Sequence, residues 1–294
     1  MFEEFKNAFS RTNNGHVQLI LLNVILFIAL AVVYVVATVS GYGNVFRLVH
    51  DQFSLSPLPS EFLTRPWTLI TYAFAHSLSD IWHILFNMIS LYWFGRLFLE
   101  YLGNDRLIAL YVLGALAGGI LYLLLSNTIP FFQAHAATGM VGASAAIYAI
   151  MVGCATLLPD YTFLLLFFGP VRIKYIAFFF ILLSFLGTVS ANAGGNIAHL
   201  GGALMGFVYV RQLQRGRNLG GWITAILKAI GGLFQRKPRI RVEYRREGPS
   251  VSRKETTASV SQQEIDAILD KISERGYESL SREEKEKLFR AGKK

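Results

Sequence analysis

Residues 18–39, QLILLNVILFIALAVVYVVATV, form an apolar stretch without one charged side chain. A run of about 20 apolar residues matches the hydrocarbon thickness of a bilayer. Inside lipid, an isolated segment can satisfy its backbone only as a helix. Five further apolar runs follow, at about 81–99, 107–125, 143–158, 173–189 and 197–213. Charged residues make up 16% of the chain, against about 25% in soluble domains. The pattern predicts an all-α fold: a polytopic membrane protein built as a six-transmembrane-helix bundle.

Orientation follows from the basic residues, which concentrate on the cytoplasmic side of membrane proteins. Lys6 and Arg11 precede the first run, and Arg96 and Arg106 border the second-to-third connection. Arg172 and Lys174 border the fourth-to-fifth connection, and Arg211, Arg215 and Arg217 follow the sixth run. On the other side, only Arg47 and Arg65 occur, in the long first loop, while 126–142 and 190–196 carry no charge at all. Both termini are therefore expected on the cytoplasmic side.

The chain divides into four parts on this reading. Residues 1–15, with Phe2, Phe5 and Phe9 at helical spacing, read as an amphipathic interfacial segment, and 16–213 as the six-helix domain. Residues 214–259 combine an interfacial helix with a basic flexible linker; Lys228 in the middle of LGGWITAILKAIGGLF favours lying on the membrane over a seventh crossing. Residues 260–294 read as a helical hairpin. Ser261 with Glu264, and Ser281 with Glu284, have capping-box spacing. Val260 stands as a staple and Gly276 as the stop. Ile265, Ile268, Leu269 and Ile272 form one stripe, which Leu288 and Phe289 answer.

Charge is uneven. From Arg211 onward there are 20 basic and 11 acidic residues, so the whole net charge of +9 lies in the tail. A basic stretch beside a membrane span attracts anionic lipid head groups. No nucleic-acid motif accompanies it, so nucleic acid is not expected as a partner. Cys154 is the single cysteine, which excludes an intrachain disulfide.

With the N-terminus inside, the second, fourth and sixth helices all enter from the outer face. His83 and Asn87 then lie at the start of the second helix, Ser144 opens the fourth, and His199 sits near the start of the sixth. Each has a bland reading. Serine in a Gly/Ala run is a packing residue, and histidine or asparagine can glue helices together. The shared depth is what those readings do not require, and polar groups inside a membrane mark function. A serine beside a histidine base is a nucleophile, and the amide at a helix start can hold an oxyanion. Between Asp105 and Glu243 the only acid is Asp160, at the opposite membrane face, so a Ser–His dyad is the economical inference. No HExxH zinc motif and no pair of intramembrane aspartates is present, and neither metal nor cofactor is called for.

RPWTLITYAFAH at 65–76, HILFN at 83–87, GAS at 142–144 and AHLGGALMG at 198–206 occur in this order on the corresponding helices. In these pieces, between about Asn14 and Arg211, the chain resembles the rhomboid intramembrane serine proteases. The resemblance implies Ser144 as nucleophile and His199 as general base, with His83 and Asn87 on the oxyanion side. It implies Tyr148 packed on the His199 ring, Gly142 within the serine motif, and Gly202 and Gly206 as close-packing glycines. Arg65 and Trp67 match the first-loop signature, with a structural role. Transmembrane proteins are the implied substrates. The compact six-span form resembles bacterial members, implying the plasma (inner) membrane; residues 260–294 lie outside the match and are left for a cytoplasmic partner. Two positions depart from the family pattern. Ala145 stands where glycine is preferred after the serine, and His76 lies too far before His83 to take a catalytic role. The alternative is an inactive family member that binds transmembrane helices for quality control or trafficking.

Overall fold

The computed structural model describes residues 14–134, 139–234 and 261–291. Residues 1–13, the linker 235–260 and Val260 with it therefore lie outside the described residues, as do 135–138 and 292–294. The chain falls into two compact units, divided between Arg236 and Lys237.

In the first unit, six helices lie on the six apolar runs: α1 Gly15–Val39, α2 Ile81–Leu102, α3 Asn104–Thr128, α4 Ser144–Leu157, α5 Ile173–Gly187 and α6 Ala193–Gln214. A seventh, α7 Gly221–Phe234, buries Ile223 in the core and pairs Lys228 with Asp105 at the start of α3. By length and composition α1 and α3 suffice to cross a membrane. The apolar helices α4 and α5 are shorter; at about 1.5 Å per residue they measure roughly 21 and 22 Å. Both α2 and α6 have the length but are interrupted by His, Asn and charged residues.

Helix α4 is the axis of the bundle. Nine of its residues are buried, from Ala145 through Cys154, and it packs against α2, α3, α5 and α6. Its small side chains allow this, and glycines on α6 complete the fit. A Cβ at Gly202 would run into the Ala145 carbonyl, and one at Gly206 into the Ala149 carbonyl. The two helices thus meet backbone to backbone. Helix α6 starts at Ala193, earlier than the apolar run, because its first turn is AGGN, which hydropathy does not mark.

The first loop is a folded structure. It contains short helices at Gly43–His50, Pro59–Phe62 and Thr68–Thr71 and a 3₁₀ turn at Tyr72–Phe74. Arg65 joins its parts, pairing with Asp51 at 3.2 Å and Glu61 at 3.6 Å, while Trp67 remains about half exposed. Between α4 and α5 the all-α bundle carries one short β hairpin. TFLL at Thr162–Leu165 pairs antiparallel with Gly169–Arg172 as strands β1 and β2. Asp160 holds the base of this hairpin through Arg172 at 3.2 Å and Lys174 at 2.7 Å, and Phe163 packs edge-on against Phe94.

The second unit contains α8 Gln262–Arg275 and α9 Arg282–Ala291. Ser261 and Glu264 form a complete capping box, and Ser281 and Glu284 cap α9 in the same reciprocal way. Gly276 ends α8 at φ +75°. Lys271–Glu284 and Lys287–Glu264, both at 2.8 Å, join the helices around buried Ile268 and Leu280. Leu269 and Phe289 are instead exposed, so the apolar stripe is narrower than expected: ion pairs rather than side-chain burial close the hairpin's sides.

Two outcomes follow. Gly202→Val forces α6 off α4, and overpacking of this kind costs about 1–3 kcal/mol; thermal melting in detergent should drop by several degrees. In the hairpin, the Lys271 ammonium and the Ser281 amide hold Glu284 down at about 2, against an ordinary 4.5. A depressed carboxylate stabilises the fold above pH 4.5 and loses that contribution as pH falls through about 2. A carboxyl-carbon NMR titration should find Glu284 well below the ordinary glutamate value of 4.5, and Lys271→Ala should return it towards that value.

Candidate active site

The site is assembled at the N-terminus of α4. The preceding segment is fixed from both sides: Leu55 and Met140 exchange backbone bonds of 2.9 and 2.8 Å, and the Gly142 amide donates to the Tyr72 carbonyl at 2.9 Å. Tyr72 is in turn anchored by its hydroxyl on the Ala115 carbonyl of α3, at 2.7 Å. Gly142 has φ +140°, and a Cβ there would lie 2.8 Å from His83 Nε2 and 3.6 Å from Ser144 Oγ. Only glycine meets both demands, so its missing side chain is the space that His83 and Ser144 share.

Ser144 is the first residue of α4, so its amide has no intrahelical acceptor. Its Oγ lies 2.7 Å from Nε2 of His199, which stands three residues before the Gly202 contact. Tyr148, one turn after Ser144, stacks on the His199 imidazole with centroids 4.3 Å apart and 12° between planes. The other imidazole nitrogen, Nδ1, lies 3.1 Å from the hydroxyl of Ser184 on α5.

Ser184 is absent from the residues singled out in the sequence. Its signal was available: a serine in the middle of the apolar run FFFILLSFLG is as polar an interruption as His199. Among the described residues, His199 has no hydrogen bond to Asp80 or Asp160. Asp80 caps α2 by accepting from the Trp82 amide at 3.0 Å, and Asp160 is held by Arg172 and Lys174 at the hairpin base.

His83 contributes a partly exposed ring beside Gly142 and Ser144. Asn87 is buried, and its amide nitrogen donates to the His83 carbonyl one turn back at 2.7 Å. One of its two N–H groups is thereby spent on its own helix. A cavity of about 390 Å³ opens beside the site, bordered by Ser77, Asp80, His83, Tyr122, Met140 and Asn192. It lies between the first loop and the α5–α6 connection and has room for roughly thirteen waters at about 30 Å³ each.

Behind His83 lies His76, fully buried, its ring 5.1 Å from that of His83 and neither nitrogen finding a well-placed hydrogen-bond partner. Burial pushes His76 down to about 3, the His83 ring adding to the shift and the Phe74 backbone opposing it. Between the ordinary 6.5 and 3, the unfolded chain binds a proton there that the folded chain does not. Stability should therefore fall as pH is lowered through that window, and thermal melting from about pH 7 to about pH 4 should show it. His76→Gln should flatten part of the slope.

A rhomboid domain model matches residues 63–215, just over half of the chain, and a family of unknown function matches 258–294. The chain is 35% identical over 192 residues to RHOMBOID-like protein 12, mitochondrial, of Arabidopsis thaliana, covering 60% of this chain and 56% of that one. It is 32% identical over 163 residues to Rhomboid protein 1, mitochondrial, of Saccharomyces cerevisiae, covering 52% and 43%. Rhomboid-like protein 16, chloroplastic, of Arabidopsis thaliana is 29% identical over 205 residues, covering 65% and 62%. The chain thus spans about half the length of the curated relatives it matches.

Proposed function

The chain belongs to the rhomboid family of membrane proteins, and we propose that it is an intramembrane serine endopeptidase. The observation that carries the reading is the 2.7 Å contact between Ser144 Oγ and His199 Nε2, with Tyr148 stacked on the ring. Packing alone does not require a serine hydroxyl to meet a histidine nitrogen carried by another helix.

In this mechanism His199 Nε2 takes the Ser144 proton as Oγ attacks a substrate carbonyl carbon. The oxyanion formed accepts from the Ser144 amide, with the ring of His83 and the second N–H of Asn87 as further donors. The tetrahedral species collapses as His199 returns the proton to the leaving amine, and an acyl ester on Ser144 remains. Water from the neighbouring cavity then gives its proton to His199 and attacks the ester. The carboxylate product leaves, and the proton returns to Ser144.

A helix hides its carbonyls in its own hydrogen bonds, so the substrate is a transmembrane protein that unwinds near the cut, at small or helix-breaking residues. Six membrane crossings with both termini in the cytoplasm fit the distribution of basic residues, and the plasma membrane is the proposed compartment. The basic tail would meet anionic lipid head groups, and the hairpin at 261–291 a cytoplasmic partner.

A fluorophosphonate probe tests the chemistry. Wild type should label, and Ser144→Ala and His199→Ala should each lose labelling and cleavage of a transmembrane substrate by about 10³-fold or more. A folded wild type that neither labels nor cleaves would identify an inactive, helix-binding family member, with the Ala145 methyl beside the nucleophile as the first position to change.

A further inference from the structure

The rings and hydroxyls behind His199 form a chain of hydrogen bonds whose direction is fixed at its far end. The last member is the backbone carbonyl of Phe180 on α5, which can only accept. The Tyr148 hydroxyl, 3.3 Å away, must therefore donate to it. Tyr148 Oη is then an acceptor for Ser184, whose Oγ–H points to it at 2.8 Å. With its one proton committed, Ser184 Oγ can only accept from His199 Nδ1, at 3.1 Å. That nitrogen must carry the hydrogen, which leaves Nε2 with its lone pair facing Ser144 Oγ at 2.7 Å.

The geometry points to Ser184 as a positioning residue: with Tyr148 it locks His199 in the Nδ1–H tautomer, the form able to take the Ser144 proton. The inference rests on the dyad reading above. Burial supports it, since Ser184 is 2% exposed on a helix whose neighbouring Phe179, Leu183, Phe185 and Leu186 are largely exposed. A serine that served only the packing of α5 would not need both partners. When His199 takes the proton from Ser144, Ser184 already holds the ring by its opposite nitrogen, so no reorientation accompanies the transfer.

The first readout is the tautomer itself, by NMR of the full chain in micelles with nitrogen-labelled imidazoles, His199 being assigned by comparison with His199→Ala. Wild type should show a protonated Nδ1 and a bare Nε2, and Ser184→Ala should move the population towards protonated Nε2. The second readout is kinetic: Ser184→Ala should lower kcat between about tenfold and about a hundredfold while KM stays within about twofold. Ser184→Thr, which keeps the hydroxyl, should restore most of the rate and the wild-type tautomer. A protonated Nε2 in wild type would overturn the relay, as would a Ser184→Ala chain with unchanged tautomer and kcat. If wild type proves inert to the probe, the protease reading fails separately, because the tautomer spectrum still decides the relay.

Discussion

The bundle is organised around the line along which α4 and α6 touch without side chains between them. Gly202 lies on the Ala145 carbonyl and Gly206 on that of Ala149, so the register and separation of the two helices are set by backbone atoms, which cannot yield as side chains can. Ser144 immediately precedes Ala145, and His199 lies three residues before Gly202. This backbone-to-backbone approach is therefore adjacent to the 2.7 Å contact between serine and histidine. The packing of these two helices and the serine–histidine contact are one constraint here.

A second constraint comes from the other side. Ser144 begins its helix, and a helix start is free to fray unless the preceding residues are held. The Leu55–Met140 bridge and the Gly142–Tyr72 bond hold them, and Tyr72 ties both to α3 through Ala115. Arg65 bonds this first loop to itself through Asp51 and Glu61.

Much of this was legible in the chain because a membrane makes polar residues expensive, so Ser144, His199 and His83 stand out from their runs. The six helices read well for the same reason, since hydropathy is a direct record of what lipid tolerates. The parts that were not legible have physical causes. The start of α6 is Gly-rich and escapes hydropathy. The β1–β2 hairpin is a short apolar run that periodicity cannot separate from helix. Leu269 and Phe289 complete an apolar stripe in sequence yet stand exposed, because two short helices offer too little surface to cover them. Ser184 was missed although it obeys the rule that found His199: a lone hydroxyl has a local alternative, a bond to its own helix, and only the neighbour across the interface shows which it takes.

That no carboxylate among the described residues bonds His199 then has a rationale. A buried acid oriented towards His199 would carry a full charge out of water, and its desolvation is recovered only with several further hydrogen bonds. The α4–α5–α6 junction supplies few polar groups beyond Ser184 and Tyr148. The proposed relay ending on the Phe180 carbonyl orients the imidazole with neutral groups and carries no charge in the resting state. Its limitation is electrostatic, because a hydroxyl stabilises an imidazolium less than a carboxylate does. Tyr148 compensates in part: its ring face lies parallel to the imidazole at 4.3 Å, where the negative π face attracts a cation. One residue thus both passes the hydrogen-bond chain on to Phe180 and lays its ring face on the imidazole.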